Sequence, residues 1–278
     1  MRNKLIEKRY LDKIDLFQKY NKAYYLNNES KINDNEFDEI KKEILSLEKQ
    51  FNYLKNKNSP SQSVGFKPSK NFQKIKHRVP MLSLGNAFNE EDLKNFEKKI
   101  INFLSLSISS IIEYSAEPKI DGISASLIYI NGKFTKGLSR GDGTEGENIT
   151  QNLKTINDIP LKITAKNFPN EIDIRGEVFI ENNDFKTINE KFANPRNAAS
   201  GSLRQKDSVV TAKIPLKFIA YTYGYVKKMN IDNQTDFLKN LKTWGFKINP
   251  FNKKISGVKN LIKNHKNLEE KRKEIAFD

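Results

Sequence analysis

The sequence contains no cysteine and only two histidines, His77 and His265. The absence of cysteine excludes a cysteine nucleophile, a disulfide framework and a cysteine-rich zinc site within this chain. It also favours the cytoplasm over an oxidising compartment. A histidine beside an arginine and a proline, as at position 77, is more often a packing residue than a catalytic base. We therefore predict that this chain holds no metal of its own in a zinc-finger type of site.

Long apolar runs are also absent. No segment is apolar enough to cross a bilayer, and no apolar stretch follows the amino terminus as it would in a signal peptide. We expect a soluble cytoplasmic protein with no membrane partner.

The sequence has no Walker loop of the form G-x-x-x-x-G-K-[ST]. Residues 141–146 formally match G-x-G-x-x-G. A dinucleotide fold also needs a buried strand before this loop and an acid about twenty residues later, and neither is evident. Asp142 and Glu145 would repel a pyrophosphate. We therefore exclude a Rossmann fold and expect the loop to hold Arg140 beside a nucleotide.

The chain is strongly basic. Its 49 basic and 34 acidic residues give a net charge of +15. Such an excess suits a polyanionic partner, because phosphate contacts release counterions. Lysine, asparagine and isoleucine are abundant throughout, however, and the basic residues are not gathered into one tract. Charge alone therefore favours nucleic acid only modestly.

The hydrophobic pattern predicts two domains and a linker. Helices over 4–26 and 34–54 form a small helical hairpin in residues 1–56, with Asn33 as a plausible cap. Residues 57–76 are rich in Ser, Pro, Asn, Gln and Lys and are typical of a linker. Residues 77–278 form the second domain.

The junction of the two predicted helices could bind a ligand. Tyr24 and Tyr25, near the end of the first helix, face acids and amides at the start of the second. This combination could grip a polar aromatic ring and a ribose, although hairpin packing and capping would also explain it. The second-helix residues are Asp34, Asn35, Glu36, Phe37 and Asp38.

The second domain alternates strands with helices, which predicts an α+β fold with an antiparallel sheet. Asn131-Gly132 is a strong hairpin signal between two strands. A strand over 171–180 places Asp173, Arg175 and Glu177 on one face, and a half-polar face is usually solvated. The predicted strands are 123–130, 133–138, 171–180 and 216–226, and the predicted helices are 90–106, 182–192, 235–244 and 256–275.

The central stretch is Glu117-Pro118-Lys119-Ile120-Asp121-Gly122. In a strand, Glu117, Lys119 and Asp121 would share one face. A free lysine titrates near pH ~10.4, so a nucleophilic Lys119 needs burial or neighbouring cations. Arginines are the obvious source of such cations. A surface strand with a salt-bridged lysine is the alternative.

Arginines and small residues follow in Asn194–Gln205. Arg196 and Arg204 stand among Asn, Ala, Ser and Gly residues. Small side chains allow backbone amides and arginine forks to approach a phosphate closely. This segment is a candidate phosphate site.

Several separated segments, in this order, resemble the covalent nucleotidyltransferases and, within them, the bacterial NAD-dependent DNA ligases. The segments are 59–65, 80–84, 116–122, 139–143, 175–177 and 194–204. The resemblance implies a helical domain that recognises the nicotinamide mononucleotide (NMN) half of NAD. It also implies an ATP-grasp-like adenylation domain with an antiparallel sheet.

By this resemblance, Lys119 attacks NAD, forms lysyl-AMP and expels NMN. AMP then passes to the 5′-phosphate of nicked double-stranded DNA, in replication and repair. Asp121 would orient the lysine or a metal, and Mg²⁺ would neutralise phosphate charge. We expect a monomer that uses NAD and Mg²⁺. Glu117 would hold the adenine amine, and Arg140 and Glu177 would hold the ribose hydroxyls. Ser83 and Leu84 would line the adenosine site. Arg196 and Arg204 would contact phosphates.

The chain departs from the family pattern at two places. The family often has Tyr-His and Tyr-Asp at the positions of Tyr24-Tyr25 and Phe37-Asp38. Both substitutions keep a ring but change the hydrogen bonding to nicotinamide, and we expect them to be tolerated. A strand of the form acid-Gly-apolar-apolar-Lys is expected just after Asp278, followed by an oligonucleotide-binding barrel and a zinc finger. We therefore expect a fragment with weak or undetectable self-adenylation and no nick sealing.

Two other readings remain open. An ATP-dependent ligase or capping-type enzyme shares the lysine chemistry, but residues 1–56 would then have no use. A non-catalytic remnant that binds nucleotide or DNA is the second. Retention of Lys119 and Glu117 argues for an enzymatic origin.

Overall fold

A computed structural model describes residues 2–26, 32, 34–62, 72–188 and 192–277. Among these residues, no helix combines the length and apolar character needed to cross a bilayer.

The N-terminal part is a helical hairpin, as predicted. Helix α1 (Arg2–Leu26) packs against α2 (Asp34–Gln50). Their shared core contains Tyr10, Ile14, Phe17, Ile44 and Leu54. Helix α2 ends four residues before the predicted end, and Leu54 reaches the core from the following turn. The predicted cap, Asn33, lies outside the described residues.

Both ends of the predicted linker contact neighbouring structure. Ser59 is fully buried, and Gln18 Nε2 of α1 donates a hydrogen bond to the carbonyl of Asn58 at 2.6 Å. At the other end, β1 (Lys74–Lys76) pairs antiparallel with β5 (Glu145–Glu147). The segment between them, 63–71, lies outside the described residues.

A four-stranded antiparallel sheet forms the centre of the second part, which confirms the predicted α+β class. Its strands are β3 (Ile123–Ile130), β4 (Lys133–Ser139), β6 (Glu171–Phe179) and β7 (Lys217–Val226), in the order β4-β3-β6-β7. Asn131 (φ 48°) and Gly132 (φ 72°) form the predicted turn between β3 and β4. Positive φ at both residues matches the twist of a tight hairpin.

One face of this sheet is the main hydrophobic core. Tyr129 of β3 and Ile174 of β6 are fully buried there. Residues from α4 (Thr150–Leu153), α6 (Pro195–Leu203) and α8 (Gln234–Thr243) belong to the same cluster.

The opposite face of β6 is polar and buried, so it is not the solvated face that a half-polar strand usually presents. Asp173, Arg175 and Glu177 are 2%, 9% and 8% exposed. Their burial follows from residues 77–83, which cross this face and bond to it. Arg78 pairs with Asp173, and Arg175 donates to the carbonyls of Val79 and Pro80.

The remaining elements surround the sheet. Helix α3 (Glu90–Phe103) begins after its predicted cap, Asn89, whose side chain accepts from the Asp92 amide at 2.9 Å. Strand β2 (Glu113–Ala116) pairs antiparallel with β8 (Lys253–Ser256). Since β8 contains Ser256, the predicted C-terminal helix starts later. The other elements are α5 (Asn182–Lys186), α7 (Ser208–Ala212), α9 (Val258–Glu270) and a 3₁₀ turn (Arg272–Glu274).

Candidate active site

Lys119 lies in a loop between β2 and β3, so its predicted placement in a strand is wrong. Pro118 cannot donate to a sheet ladder, which explains the break. Ile120 anchors the loop, because it is 7% exposed and packs with Phe179 and Ile219. Lys119 itself is exposed. The loop thus presents the lysine from a fixed base.

Gly122 allows the loop to lie close to β6. A Cβ at this position would stand 2.3 Å from the Val178 carbonyl oxygen and 2.9 Å from Glu177 Cγ. Backbone atoms at that distance cannot yield, so only glycine fits. This close approach brings Lys119 and Asp121 towards Glu177.

Glu117 is held in place by two donors. Ser115 Oγ and Gln234 Nε2 both donate to Glu117 Oε1 at 2.9 Å. One donor comes from β2 and the other from the first turn of α8. A carboxylate fixed from two elements is suited to recognising a ligand group in one orientation.

Asp121 forms an ion pair with Arg196. Arg196 lies in the first turn of α6, which begins after Asn194, whose side chain accepts from the Asn197 amide at 2.7 Å. Ala198 and Ala199 are fully buried, so this helix packs closely against the sheet. The small residues noted in the sequence thereby place an arginine beside the lysine loop.

Glu177 connects the loop to the sheet. Ser124 Oγ of β3 donates to its carboxylate at 2.8 Å. Burial raises the pKa of Glu177 to about 7, against the lowering effects of Arg196, the Ser124 hydrogen bond and Lys119. Lys119, Asp121, Arg196 and Glu177 are therefore close enough to interact electrostatically.

Tyr221 of β7 belongs to the same polar cluster. Burial raises the pKa of its phenol to about 12, and the neighbouring Glu177 adds to the rise. A hydrogen bond with Ser124 opposes this rise in pKa, as do the charges of Arg140 and Arg175. These couplings connect the Lys119 cluster with the polar face of β6 and with the loop that follows β4.

Arg140 lies at the end of β4, as predicted. Its Nη2 donates to Ser83 Oγ at 2.9 Å, and its Nε donates to the Met81 carbonyl at 3.4 Å. Its own carbonyl lies 3.1 Å from His77 Nε2. Leu84, next to Ser83, is 74% exposed. The structure thus brings together Arg140 and Ser83, two of the predicted nucleotide-binding residues.

The glycine-rich loop is a compact turn. Asp142 Oδ1 accepts from the amides of Thr144 and Glu145 at 2.9 and 3.0 Å. Gly141 (φ 58°) approaches the Glu145 carbonyl so closely that a Cβ would stand 1.9 Å from it. The Asp142 carboxylate is thus used within the turn.

Arg204 lies at the other end of α6. Its Nε donates to Glu147 Oε2 of β5 at 3.3 Å, and Glu147 is 1% exposed. Eight residues of helix separate it from Arg196, about 12 Å. Of the two predicted phosphate-binding arginines, Arg196 contacts the lysine loop and Arg204 contacts Glu147.

Of the predicted nicotinamide-binding residues in the helical hairpin, the structure describes the side chains of only some. The side chains of Tyr24, Tyr25, Asp34 and Asn35 lie outside the described residues. Phe37 stacks on Phe17 with ring centroids 5.1 Å apart. Glu36 is exposed and Asp38 is half-buried. A nicotinamide site here stays a prediction.

Ser124, Tyr221 and Gln234 also belong to the site, and sequence reasoning missed them. Ser124 stands directly opposite Glu177 in the β3–β6 register. Gln234 bonds to Glu117 across 117 residues of chain. Their positions depend on strand register and helix packing. The alternation of β3 was the available signal, since Ser124 shares a face with Ser126.

The arrangement can hold a nucleotide next to an exposed amine. Residues 69–278 match the family model described as the NAD-dependent DNA ligase adenylation domain. The chain belongs to the NAD-dependent DNA ligase family. Residues 3–65 match a second model, described as the DNA ligase-like N-terminal NAD⁺-binding domain. The family resemblance inferred from the sequence is therefore confirmed.

Curated relatives agree with this assignment. A DNA ligase of Pelagibacter ubique is 76% identical over all 278 residues, which correspond to 41% of its length. A DNA ligase of Parvibaculum lavamentivorans is 43% identical over 269 residues, 94% of this chain and 38% of that protein. A DNA ligase of Coprothermobacter proteolyticus is 41% identical over 95% of this chain and 40% of its own length. The chain thus spans about two fifths of these relatives.

Proposed function

We propose that this chain is the adenylation region of an NAD-dependent DNA ligase, and that Lys119 is its nucleophile. The Lys119 amine attacks the adenylate phosphorus of NAD. A nitrogen–phosphorus bond forms, the pyrophosphate bond breaks, the amine loses a proton to solvent, and NMN leaves with the bond electrons. The observation that carries this proposal is the exposed Lys119 beside Asp121, Arg196 and Glu177.

Arg196 has two roles in this proposal. As the partner of Asp121, it offsets a negative charge next to the lysine. A nucleophilic lysine must be neutral when it attacks, and a nearby carboxylate favours its charged form. The guanidinium also supplies a donor for the negative charge of the transferring phosphate.

We assign the binding of the adenosine half of NAD to the residues around Glu177 and Arg140. Glu117, fixed by Ser115 and Gln234, accepts from the adenine amine. Glu177 and Arg140 hold the ribose hydroxyls. Ser83 and Leu84 line the adenosine, Ser83 being bonded to Arg140. The same transfer chemistry then places AMP on the 5′-phosphate of nicked DNA, in replication and repair.

Asp121 fits a magnesium ion bound together with phosphates. Its side chain is 38% exposed, and one carboxylate oxygen is bonded to Arg196. The described residues contain no cluster of three or more acidic or histidine side chains arranged around a metal. Magnesium commonly uses one or two carboxylates with substrate phosphates. When bound, it would neutralise charge on the phosphates.

The helical hairpin is assigned to the nicotinamide half of NAD. Residues 3–65 match a model of an NAD⁺-binding domain. We place the contacts at the hairpin junction, on Tyr24, Tyr25 and 34–38. Residues 1–56 then form the domain that selects NAD over ATP, and residues 57–76 link this domain to the next. Residues 77–278 form the domain that carries out adenylation.

Release of NMN tests the proposal. The chain is incubated with NAD and magnesium, and free NMN is measured by chromatography. We expect no more than a single NMN per chain, none from Lys119→Arg, and no pyrophosphate when ATP replaces NAD. Release of many NMN molecules per chain would indicate hydrolysis. Release from Lys119→Arg would assign the nucleophile elsewhere.

A further inference from the structure

Residues 77–83 form a strap across the polar face of the sheet. The amides of His77 and Met81 donate to the carbonyls of Thr144 and Gly143, each at 2.8 Å. These bonds join one edge of the strap to the glycine-rich loop. They leave the carbonyls of its middle residues directed at the sheet.

Arg175 of β6 binds the middle of the strap from below. Its Nη1 donates to the Pro80 carbonyl at 3.2 Å, and its Nη2 donates to the Val79 carbonyl. Arg175 is only 9% exposed. A planar guanidinium can reach two adjacent carbonyls at once, which a single ammonium cannot do with the same geometry.

Gly224 of β7 makes room for this guanidinium. A Cβ at position 224 would stand 2.6 Å from Arg175 Nη2 and 2.8 Å from its Cζ and Nε. The arginine side chain would have to move away from such a methyl group. Gly224 therefore offers a way to displace Arg175 without replacing it.

Arg78 fixes the first part of the strap. Its Nε lies 3.1 Å from both carboxylate oxygens of Asp173, and its Nη1 donates to Glu171 at 3.1 Å. Its Cζ lies over the Tyr225 ring, 4.2 Å from the centroid. The strap is thus bound through side chains at two successive inward positions of β6, Asp173 and Arg175.

The far end of the strap leads into the nucleotide site. Both the Met81 carbonyl and Ser83 Oγ accept hydrogen bonds from Arg140. Arg140 in turn interacts with Tyr221, and Tyr221 with Glu177. A shift of the strap would therefore move Ser83 and Arg140 relative to the Lys119 cluster.

We propose that Arg175 is a positioning residue for the adenosine side of the NAD site, acting through the two strap carbonyls that it binds. This inference rests on the proposed function. Its bonds go to backbone carbonyls of the strap, so the guanidinium specifies where the strap lies. A buried charge is a poor source of stability, since an apolar side chain of similar size often replaces one without loss.

Three variants test the role of Arg175: Arg175→Met, Arg175→Lys and Gly224→Ala. The initial rate of NMN release is measured at increasing NAD. We expect half-saturating NAD to rise about tenfold in Arg175→Met and Gly224→Ala, with the maximal rate changed less than about threefold. Arg175→Lys keeps one donor and should lie between Arg175→Met and the unsubstituted chain.

Tyr129→Phe is the matched control. It removes a buried hydroxyl that donates to the Pro160 carbonyl at 2.7 Å, on the core face of the sheet. It should lower the thermal unfolding midpoint and leave half-saturating NAD unchanged. An equal rise of half-saturating NAD in Tyr129→Phe, or Arg175 variants that lower only the unfolding midpoint, would overturn the proposal.

A second readout separates this inference from the proposed function. If the unsubstituted chain releases no NMN, the proposed chemistry has failed, and hydrogen exchange still tests the strap. The amides of His77 and Met81 should exchange at least about tenfold faster in Arg175→Met, with the Leu127 amide of β3 unchanged. Unchanged exchange at His77 and Met81 would overturn the inference.

Discussion

Glu177 is a buried acid with a raised pKa. Its carboxyl accepts from Ser124 and is buried, and its Cγ lies close to Gly122 of the lysine loop. Burial raises its pKa from 4.5 to about 7. A group that is protonated for part of the time near neutral pH can donate as well as accept, which suits contacts to ribose hydroxyls.

Glu177→Gln should change the pH dependence of stability. Because the pKa is higher in the folded state, the carboxyl's contribution is fully present below 4.5 and is lost as the pH rises to about 7. The amide cannot ionise. The unfolding free energy of Glu177→Gln minus that of the unsubstituted chain should therefore increase by up to about 3 kcal/mol between pH 4.5 and about pH 7.

Urea unfolding at about pH 5 and about pH 8 measures this difference. Glu145→Gln, at a partly exposed acid whose carboxylate faces Lys74 at 3.6 Å, is the control. A difference between Glu177→Gln and the unsubstituted chain that stays constant with pH would contradict the assignment of a buried, raised carboxyl.

Arg196→Met should slow the chemistry more than it weakens NAD binding. The variant removes the partner of Asp121 and the donor that we propose for the transferring phosphate. Loss of one such donor typically costs about 10²-fold in rate, so we expect the maximal rate of NMN release to fall by about that factor. Lys247→Met is the matched control, since Lys247 also pairs with a carboxylate, Asp158, at 2.7 Å. Equal effects in the two variants would argue against the assignment of Arg196.

Several site residues could be predicted from the sequence because the family signatures are local. Lys119, Asp121, Glu177 and Arg196 lie together in the structure. Ser124 and Gln234 could not be predicted, since they approach the site through register and packing. Arg175 was predicted to share a face with Glu177, but the burial of that face and the strap carbonyls that Arg175 binds were not predicted.

At the scale of elements, α6 places Arg196. The helix has nine residues, begins at the Asn194 cap and buries small side chains against the sheet. Its first turn is therefore both the start of a helix and a part of the site. Anything that loosens this turn should affect stability and chemistry together.

Asn194→Ala should show this coupling. Loss of the cap costs about 1 kcal/mol of stability and frees the turn that carries Arg196. Both the unfolding free energy in urea and the rate of NMN release should therefore fall. Asn89→Ala, which removes the cap of α3, is the matched control, because its side chain makes the same bond to the Asp92 amide. It should cost similar stability with little change in NMN release. A similar loss of rate in both variants would contradict the role of α6.

The long strands and helices were predictable, whereas the short strands were not. The β3–β4 hairpin follows from local alternation and an Asn-Gly turn. Strands β1, β2, β5 and β8 have three or four residues each, too few to show a period. Their partners are distant, as in the pairing of Glu113 with Ser256. The Lys119 loop was assigned to a strand because its alternation continues that of β3.

At the scale of the whole molecule, the net charge of +15 supports a nucleic-acid partner. If the chain binds nicked duplex DNA through phosphates, its affinity should fall steeply with salt. We expect a log–log slope of roughly −3 or steeper, since each neutralised phosphate contributes about −0.9. Fluorescence anisotropy at several salt concentrations measures it.

Lys119→Ala separates DNA binding from catalysis in the same assay. The variant should keep nearly the same salt slope, because one lysine is a small part of the basic surface. Binding that does not depend on salt would contradict a phosphate-based interface. Salt-sensitive binding by a chain that never forms an adenylate would instead favour a non-catalytic binding role.

We expect Lys119 to form a covalent adenylate from NAD. Intact-mass spectrometry of the chain, before and after incubation with NAD and magnesium, tests it most directly. ATP serves as the parallel control and Lys119→Ala as the blank. We predict a mass increase of one AMP with NAD on a small fraction of the chains, in keeping with the weak self-adenylation expected above, none with ATP and none in Lys119→Ala. An adduct that persists in Lys119→Ala, or forms equally from ATP, would contradict the account.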